Sequence, residues 1–319
     1  MKSSQTAVTH RMVVNRTEKA PTPRVSIGLP VYNGERYLAS ALESILAQTF
    51  GDFEVIISDN ASTDATPEIC RAYMARDPRI RYVRNERNLG AAPNYNRVFH
   101  LARGMYFRWH AHDDLLAPTY LEQCVAALDA HPGVVLCHSK TVFIDEHDRV
   151  IGYDEDSLHF RQASVFSRYY AYLRVARNWI NAIFGLIRTD VLRQTVLIGA
   201  YSSSDMILLA ELILRGEFYE VPEYLFLRRD HEEASVQANR DYQKRQVWFD
   251  PRNRGKIELT HWRWTIELLR VIGRVPLAWH DRLLCYAHMQ WWLRRTRREM
   301  LNDLAVATRL VIHKATWAT

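Results

Sequence analysis

The chain has 319 residues, of which 48% are apolar and 24% charged, with a formal net charge of +6. That is ordinary globular usage with material for a full core, and so mild a charge favours acidic small partners without requiring nucleic acid. No uninterrupted apolar run reaches the roughly 18 residues of a membrane span. Four cysteines, at 70, 124, 137 and 285, lack Cys-x-x-Cys spacing and read as free thiols of a reducing, cytoplasmic compartment.

Residues 1–23 carry polar residues throughout, without an apolar core of signal-peptide length, and read as a disordered tail. From Arg24 strands and helices alternate. Val25–Leu29 is a short apolar strand, stopped by Pro30 and the turn pair Asn33-Gly34. Tyr37, Leu38, Ala41, Leu42, Ile45 and Leu46 then share one helical face. Phe53–Ile57 predicts the second strand, ending at Ser58-Asp59-Asn60, and Pro67 and Glu68 mark the first turn of the next helix. Ile80–Val83 predicts a third strand, residues 90–102 a helix, and Met105–Trp109 a fourth strand. This alternation predicts a mostly parallel sheet covered by helices on both faces. Ligands of such sheets bind beyond the carboxyl ends of the strands, where Asn33, Asp59 and Asp113-Asp114 all fall.

The stretch Met105–Pro118, MYFRWHAHDDLLAP, organises the rest. An apolar strand breaks into His110, His112 and two adjacent acids before a helix opens at Pro118. Paired carboxylates at a strand end repel one another unless a cation sits there, so Asp113-Asp114 points to a divalent metal serving an anionic ligand. A zinc site with the two histidines is the lesser alternative. Neither G-x-x-x-x-G-K-[ST] nor G-x-G-x-x-G follows the first strand, which argues against a P-loop NTPase or a dehydrogenase. Carboxylates in place of glycines suggest a nucleoside diphosphate held through a metal.

In the second half, Val134–Phe143 predicts a strand, residues 145–159 a polar loop and residues 182–188 a further strand. Asp205–Leu214 predicts an apolar helix entered through Ser202-Ser203-Ser204, all good capping residues. Phe218–Phe226 predicts a strand followed by Arg228-Arg229-Asp230-His231. Beyond about residue 236 arginine and tryptophan become dense, and 262–272 and 279–298 predict helices.

Four motifs in order, VSIGLPVYNGERYLASALESILAQTF, FEVIISDNASTDAT, NLGAAPNYN and WHAHDDLLAP, resemble family 2 glycosyltransferases of the GT-A fold. The likeness runs over residues 25–231. It implies an α/β domain over residues 24–235 and a helical C-terminal extension over 236–319. It also implies an inverting enzyme that moves a sugar from a nucleotide-diphosphate sugar, UDP favoured, to a hydroxyl of a glycan or lipid-linked acceptor, with Mn2+ or Mg2+ as cofactor. Residue by residue, it puts Pro30, Tyr32 and Asn33 along the nucleoside, Asp59 at the base and Asn96 near the donor. Asp113 and Asp114 match the DxD-type motif, with Asp114 as direct metal ligand and Ala111 standing where the family's first Asp would be. Asp205 matches the catalytic base, with Ser204 in place of the usual Glu before it and Glu211 next in line. His231 matches the histidine near the diphosphate.

Two other function classes are weighed. A sugar-nucleotide nucleotidyltransferase would want a glycine-rich, basic first loop, which PVYNGERY lacks. A nucleotide-sugar-binding module without catalysis would not need both acid sites. For the C-terminal helices two readings stay open: peripheral contact with the inner membrane face, or a lid or homodimer contact with buried tryptophans.

Overall fold

Seven consecutive buried residues, Val25–Val31, form strand β1, and seven more, Phe53–Asp59, form β2. A strand covered on both faces carries apolar side chains on both, which is why these read as unbroken runs. The structure, a computed structural model, describes residues 22–154, 158–175, 181–232 and 242–316. All but the end of the tail expected at 1–23, and the boundary expected at 235, lie outside the described residues.

Helix α1 (Leu38–Leu46) follows β1, and α2 (Thr66–Arg76) joins β2 to β3 (Ile80–Arg84). Helix α3 (Ala91–His100) leads into β4 (Tyr106–Trp109). These four strands pair in parallel, with Val31 beside Asp59 and Gly28 beside Trp109, so their carboxyl ends share one edge. Strand β1 passes through Pro30 to Val31; the missing N–H at Pro30 costs one ladder bond and helps the strand end there. At the opposite edge buried Glu54 takes Arg81 (3.0 Å), Arg103 (2.8 Å) and the Ser26 hydroxyl (2.7 Å).

The remaining strands are β5 (Leu115–Leu116), β6 (Val134–Ile144), β7 (Val150–Tyr153), β8 (Leu186–Arg188) and β9 (Glu217–Arg229). The sheet runs β3-β2-β1-β4-β8-β6-β9-β5, with β7 on β6. Beyond β4 it is mixed: β8 is antiparallel to β4 and β6, β9 parallel to β6 and antiparallel to β5. The strand expected over 182–188 begins as a 3-10 turn, Asn181–Phe184, because the Gly185 amide turns back to the Ala182 carbonyl (2.9 Å).

Helices α4 (Tyr120–Ala130), α5 (Val165–Val175), the short α6 (Thr189–Leu192) and α7 (Ser204–Arg215) cover the sheet, followed by α8 (Tyr242–Phe249), α9 (Thr260–Arg274) and α10 (Trp279–Thr316). With no Gly or Pro after Arg298, α10 continues well past the expected end. Two apolar clusters form the core, and Leu268, Val271 and Ile272 of α9 with Met289 and Trp292 of α10 belong to the one that contains α7. Each such buried side chain contributes about 1.5–3 kcal/mol, so these two helices are part of the same core. No described helix is long and apolar enough to cross a membrane.

Candidate active site

A cavity of about 1370 Å³ opens beyond the strand ends. Pro30 at the end of β1 with Tyr32 and Asn33 after it, Asn60 and Asp64 after β2, and Asp113 and Asp114 after β4 line one side of it, with Arg228, Arg229 and His231 from the end of β9. Lys244 and Trp248 of α8, with Pro251, Arg254 and Gly255 beyond it, line the other.

The acid turn is built from strand pairing. Leu115 and Leu116 pair with Leu227 and Phe226, which draws the end of β9 onto the turn. The Arg229 amide donates to Asp114 Oδ1 (2.9 Å), and its guanidinium donates to the Asp113 carbonyl (2.9 Å) while lying 4.6 Å over the Tyr37 ring. His231 Nε2 donates to Asp113 Oδ2 (3.0 Å), its ring against Tyr37 and its Nδ1 buried without a hydrogen-bond partner. From below, fully buried His110 donates through Nε2 to the Asp114 carbonyl (3.1 Å) and takes Arg108 on Nδ1 (3.4 Å). Burial and then the Arg108 charge hold His110 well below its usual range, so it is a neutral brace. Both its nitrogens are engaged, which argues against a zinc site that uses the two histidines together.

Burial works against ionisation of both acids. At Asp113 the neighbouring His112 and the His231 bond outweigh it and bring the carboxyl to about 2. At Asp114 burial, reinforced by the Asp113 charge, pushes the carboxyl up to about 8. Such a pair holds a proton near neutrality unless a cation replaces it, and the donor set therefore fits a hard divalent ion. Among the described residues no three His, Cys, Asp or Glu side chains converge. An ion on Asp113 and Asp114 would thus keep most of its coordination for water and ligand oxygens, as Mg2+ does.

The loops after β1 and β2 lock together. Asp64 Oδ2 accepts the Glu35 amide (3.0 Å) and Glu35 Oε2 accepts the Ala65 amide (2.8 Å). Asn33, at φ 51°, accepts the Thr63 amide (2.9 Å) and gives its own amide to Ser62 Oγ (2.9 Å). Asp59 stands behind this lock, not on the cavity lining. Fully buried, it accepts the Ser62 amide (2.8 Å) and the Tyr82 hydroxyl (2.8 Å), with Arg84 at 3.4 Å. Its visible work is to hold Ser62, which holds Asn33. Asn60 faces the cavity in its place, tied to Asn85, Asn88 and Leu89.

Asn96 is turned away. Its amide closes a two-way bond with the Ile198 backbone (2.9 and 3.0 Å), while its neighbours Asn94 and Tyr95 line the cavity. One residue along a helix swings a side chain about 100°, enough to exchange wall for scaffold.

Asp205 begins α7 but is also off the cavity lining. None of the three serines caps the helix: Ser203 is left-handed at φ 59° and the Ser204 hydroxyl is buried without a partner. Burial raises Asp205, against the opposing pull of the helix-start amides and Arg228, so the helix terminus does not dominate. Asp113, Asp114 and Asp205 all act electrostatically on the Tyr95 hydroxyl, held above its usual range first by burial. Asp205 thus stands within electrostatic reach of the cavity wall. Glu211, the fallback base, is fully buried between Arg215 (2.8 Å) and Arg274 (2.7 Å) and is committed to joining α7 and α9.

The wall from α8 onward escaped sequence reasoning, which placed these residues in an extension. It is seated by Gly90, where φ is +89° and any side chain would collide with Phe249, Asp250 and Pro251. Its only sequence signal was a basic and aromatic cluster, Lys244, Trp248 and Arg254.

The family model for glycosyl transferase family 2 matches residues 26–193. An uncharacterised glycosyltransferase of Methanocaldococcus jannaschii is 35% identical over 131 residues, 40% of this chain and 45% of that protein. The chain spans less than half the length of the curated relatives it matches. Among solved structures, S. aureus TarS in complex with UDP-GlcNAc is similar at a TM-score of 0.57 and 18% identity, over 88% of this chain and 89% of that one. A mannosyltransferase of Pyrobaculum calidifontis with GDP-Man and Mn2+ is similar at 0.50 and 16%, over 92% and 88%. At these identities the structural likeness establishes the GT-A fold alone. The family model, covering more than half of the chain, establishes the rest: the chain belongs to glycosyl transferase family 2.

Proposed function

We propose that the chain is a metal-dependent, inverting glycosyltransferase taking a nucleotide-diphosphate sugar, with UDP favoured, and a hydroxyl of a glycan or lipid-linked acceptor. The observation that carries this reading is the Asp113-Asp114 turn in a cavity rimmed by the β1 and β2 loops and faced by Arg228, Lys244 and Arg254. Pro30, Tyr32 and Asn33 form the nucleoside side, with Asp59 positioning them through Ser62. Asp113 and Asp114 would hold Mn2+ or Mg2+, which when bound neutralises the diphosphate leaving group as a Lewis acid. His231, which lines the cavity and is aligned by Asp113 through Nε2, stands on the donor side.

Asp205 takes the proton of the acceptor hydroxyl as that oxygen attacks the anomeric carbon. Burial strengthens it as a base, moving it toward the working pH where proton transfer is most effective. The other cavity carboxylates among the described residues, Glu35 and Asp64, are tied to loop amides, which supports a single displacement with inversion over a covalent intermediate. Two intact acid sites speak against a binding module without catalysis. The neighbours solved with UDP-GlcNAc and with GDP-Man and Mn2+ support the donor class.

Calorimetry of UDP binding, with and without Mn2+, tests this in wild type and Asp114→Ala. Binding should require the ion in wild type and weaken at least about tenfold in the variant, as expected when a charged ligand is removed. Equal affinity and equal metal dependence in a folded variant would sink the assignment.

A further inference from the structure

We propose that the hairpin of α9 and α10 carries a docking face for an anionic lipid surface. On α9, Trp262, Ile266 and Leu269 stand four and three residues apart and are 37%, 42% and 37% exposed, one stripe of a helix. On α10, Leu283, Tyr286 and Leu293 form a second stripe, 61%, 37% and 41% exposed, headed by Trp279 at 78%. The stripes lie side by side: the Tyr286 hydroxyl donates to the Leu269 carbonyl (3.5 Å), and Trp262 Nε1 to the Met300 carbonyl (3.0 Å). Both helices already bury their other apolar face in the core, through Leu268, Ile272, Met289 and Trp292. The exposed stripes are therefore surplus to folding.

Charge decides the occupant. Nine arginines face four acids between residues 260 and 309, though the whole chain is only +6. Arg294, Arg297 and Arg298 are exposed on α10, roughly 80°, 20° and 120° around the helix from Tyr286. The acids are elsewhere: Glu267 is shared by Arg263 and Arg270, and Asp303 is held by His261. Asp281 and Glu299 lie roughly 140° around the helix from Tyr286. A second copy packed on this face would bring like charges together with no acid to meet them. Anionic headgroups match the arginines, and acyl boundaries match exposed Trp, Tyr and Leu. From Trp279 to Leu301 the face extends roughly 33 Å, lying in the plane of a surface instead of crossing it.

Flotation of the full chain with vesicles of phosphatidylcholine, alone or with about a third phosphatidylglycerol, tests this independently of sugar transfer. Binding is expected to the anionic vesicles at 0.1 M salt, with release at about 0.5 M as screening shortens to a few ångströms. Arg294→Glu/Arg297→Glu/Arg298→Glu should lower the partition at least about a hundredfold, at roughly 1 kcal/mol for each arginine lost. Leu283→Ser/Leu293→Ser should lower it at least about tenfold, and calorimetric UDP binding should be unchanged in both. The proposal is overturned if wild type stays off anionic vesicles or if either variant binds as well as wild type. It is equally overturned if sedimentation shows a dimer that the serine variant dissolves, since the face then belongs to a second copy.

Discussion

The two walls of the cavity are built on different terms. The wall of strand ends is held by side-chain oxygens that accept backbone amides across loops: Glu35 from Ala65, Asp64 from Glu35, Asn33 from Thr63, Asp114 from Arg229. The α8 wall is seated by shape at Gly90 and by Asn253 Nδ2, which donates to the Ala200 carbonyl (2.8 Å). The first is pre-organised for chemistry that tolerates little displacement. They meet at residues 200–205, where Asn253 and Trp264 grip the backbone and the Asp205 charge reaches Tyr95.

The largest effect should come at that junction. Asp205→Asn keeps the shape and removes the proton acceptor, so transfer should fall about 10²–10⁴-fold, mostly in kcat, with UDP binding intact. Glu211→Gln is the control: it breaks a buried charge cluster, at a cost of about 3–5 kcal/mol in stability, and shows in a melt before it shows in turnover per folded molecule. If Asp205→Asn transfers sugar at nearly the wild-type rate, the junction is scaffold and the base lies elsewhere.

A smaller effect isolates the second wall. Gly90→Val is strained at φ +89° and drives a side chain into residues 249–251. Donor KM should rise about tenfold while kcat changes less, because the acid turn is untouched. An equal fall in kcat would mean that the walls move together. Trp248→Ala removes one face of the same wall and should raise donor KM about three- to tenfold, read by initial rates across donor concentration.

The smallest effect probes the first wall without its ion. Folded Asp114 is pushed from 3.8 up to about 8, so between those values the folded chain binds a proton that the unfolded chain releases. Stability therefore falls as pH rises from about 4 to 8; Asp113, lowered to about 2, acts in the opposite sense only below about 4. Melts of the ion-free protein should drop by at least several degrees between about pH 5.5 and 8. Mn2+ with UDP should restore the loss, and Asp114→Asn should flatten the profile. A flat wild-type profile would mean that the acid pair is not under mutual strain.

Legibility followed the same division. The strands were readable because burial on both faces leaves unbroken apolar runs, and the acid turn was readable because it falls in register with the other motifs at the strand ends. Asn96 shows the limit: helix periodicity does not say which of Asn94, Tyr95 and Asn96 faces the ligand until α3 is docked, and docking spends Asn96 on Ile198. The serines before Asp205 fit a capping pattern, yet Ser203 takes a left-handed conformation and none of them caps.

What the sequence determined by itself is local: strands, helix faces, the Asp113-Asp114 turn and the family to which its motifs belong. These depend on periodicity and on neighbours within a few residues. What only the tertiary structure decided is which distant segments share the cavity. The pairing of β5 with β9 brought Arg229 onto Asp114 across 115 positions, and the seat at Gly90 made a wall of α8. The stripes of α9 and α10 were left exposed because the same helices had already filled the core with their other faces. Each outcome rests on contacts between segments remote in the chain, whose cost and reward are settled only when the segments meet.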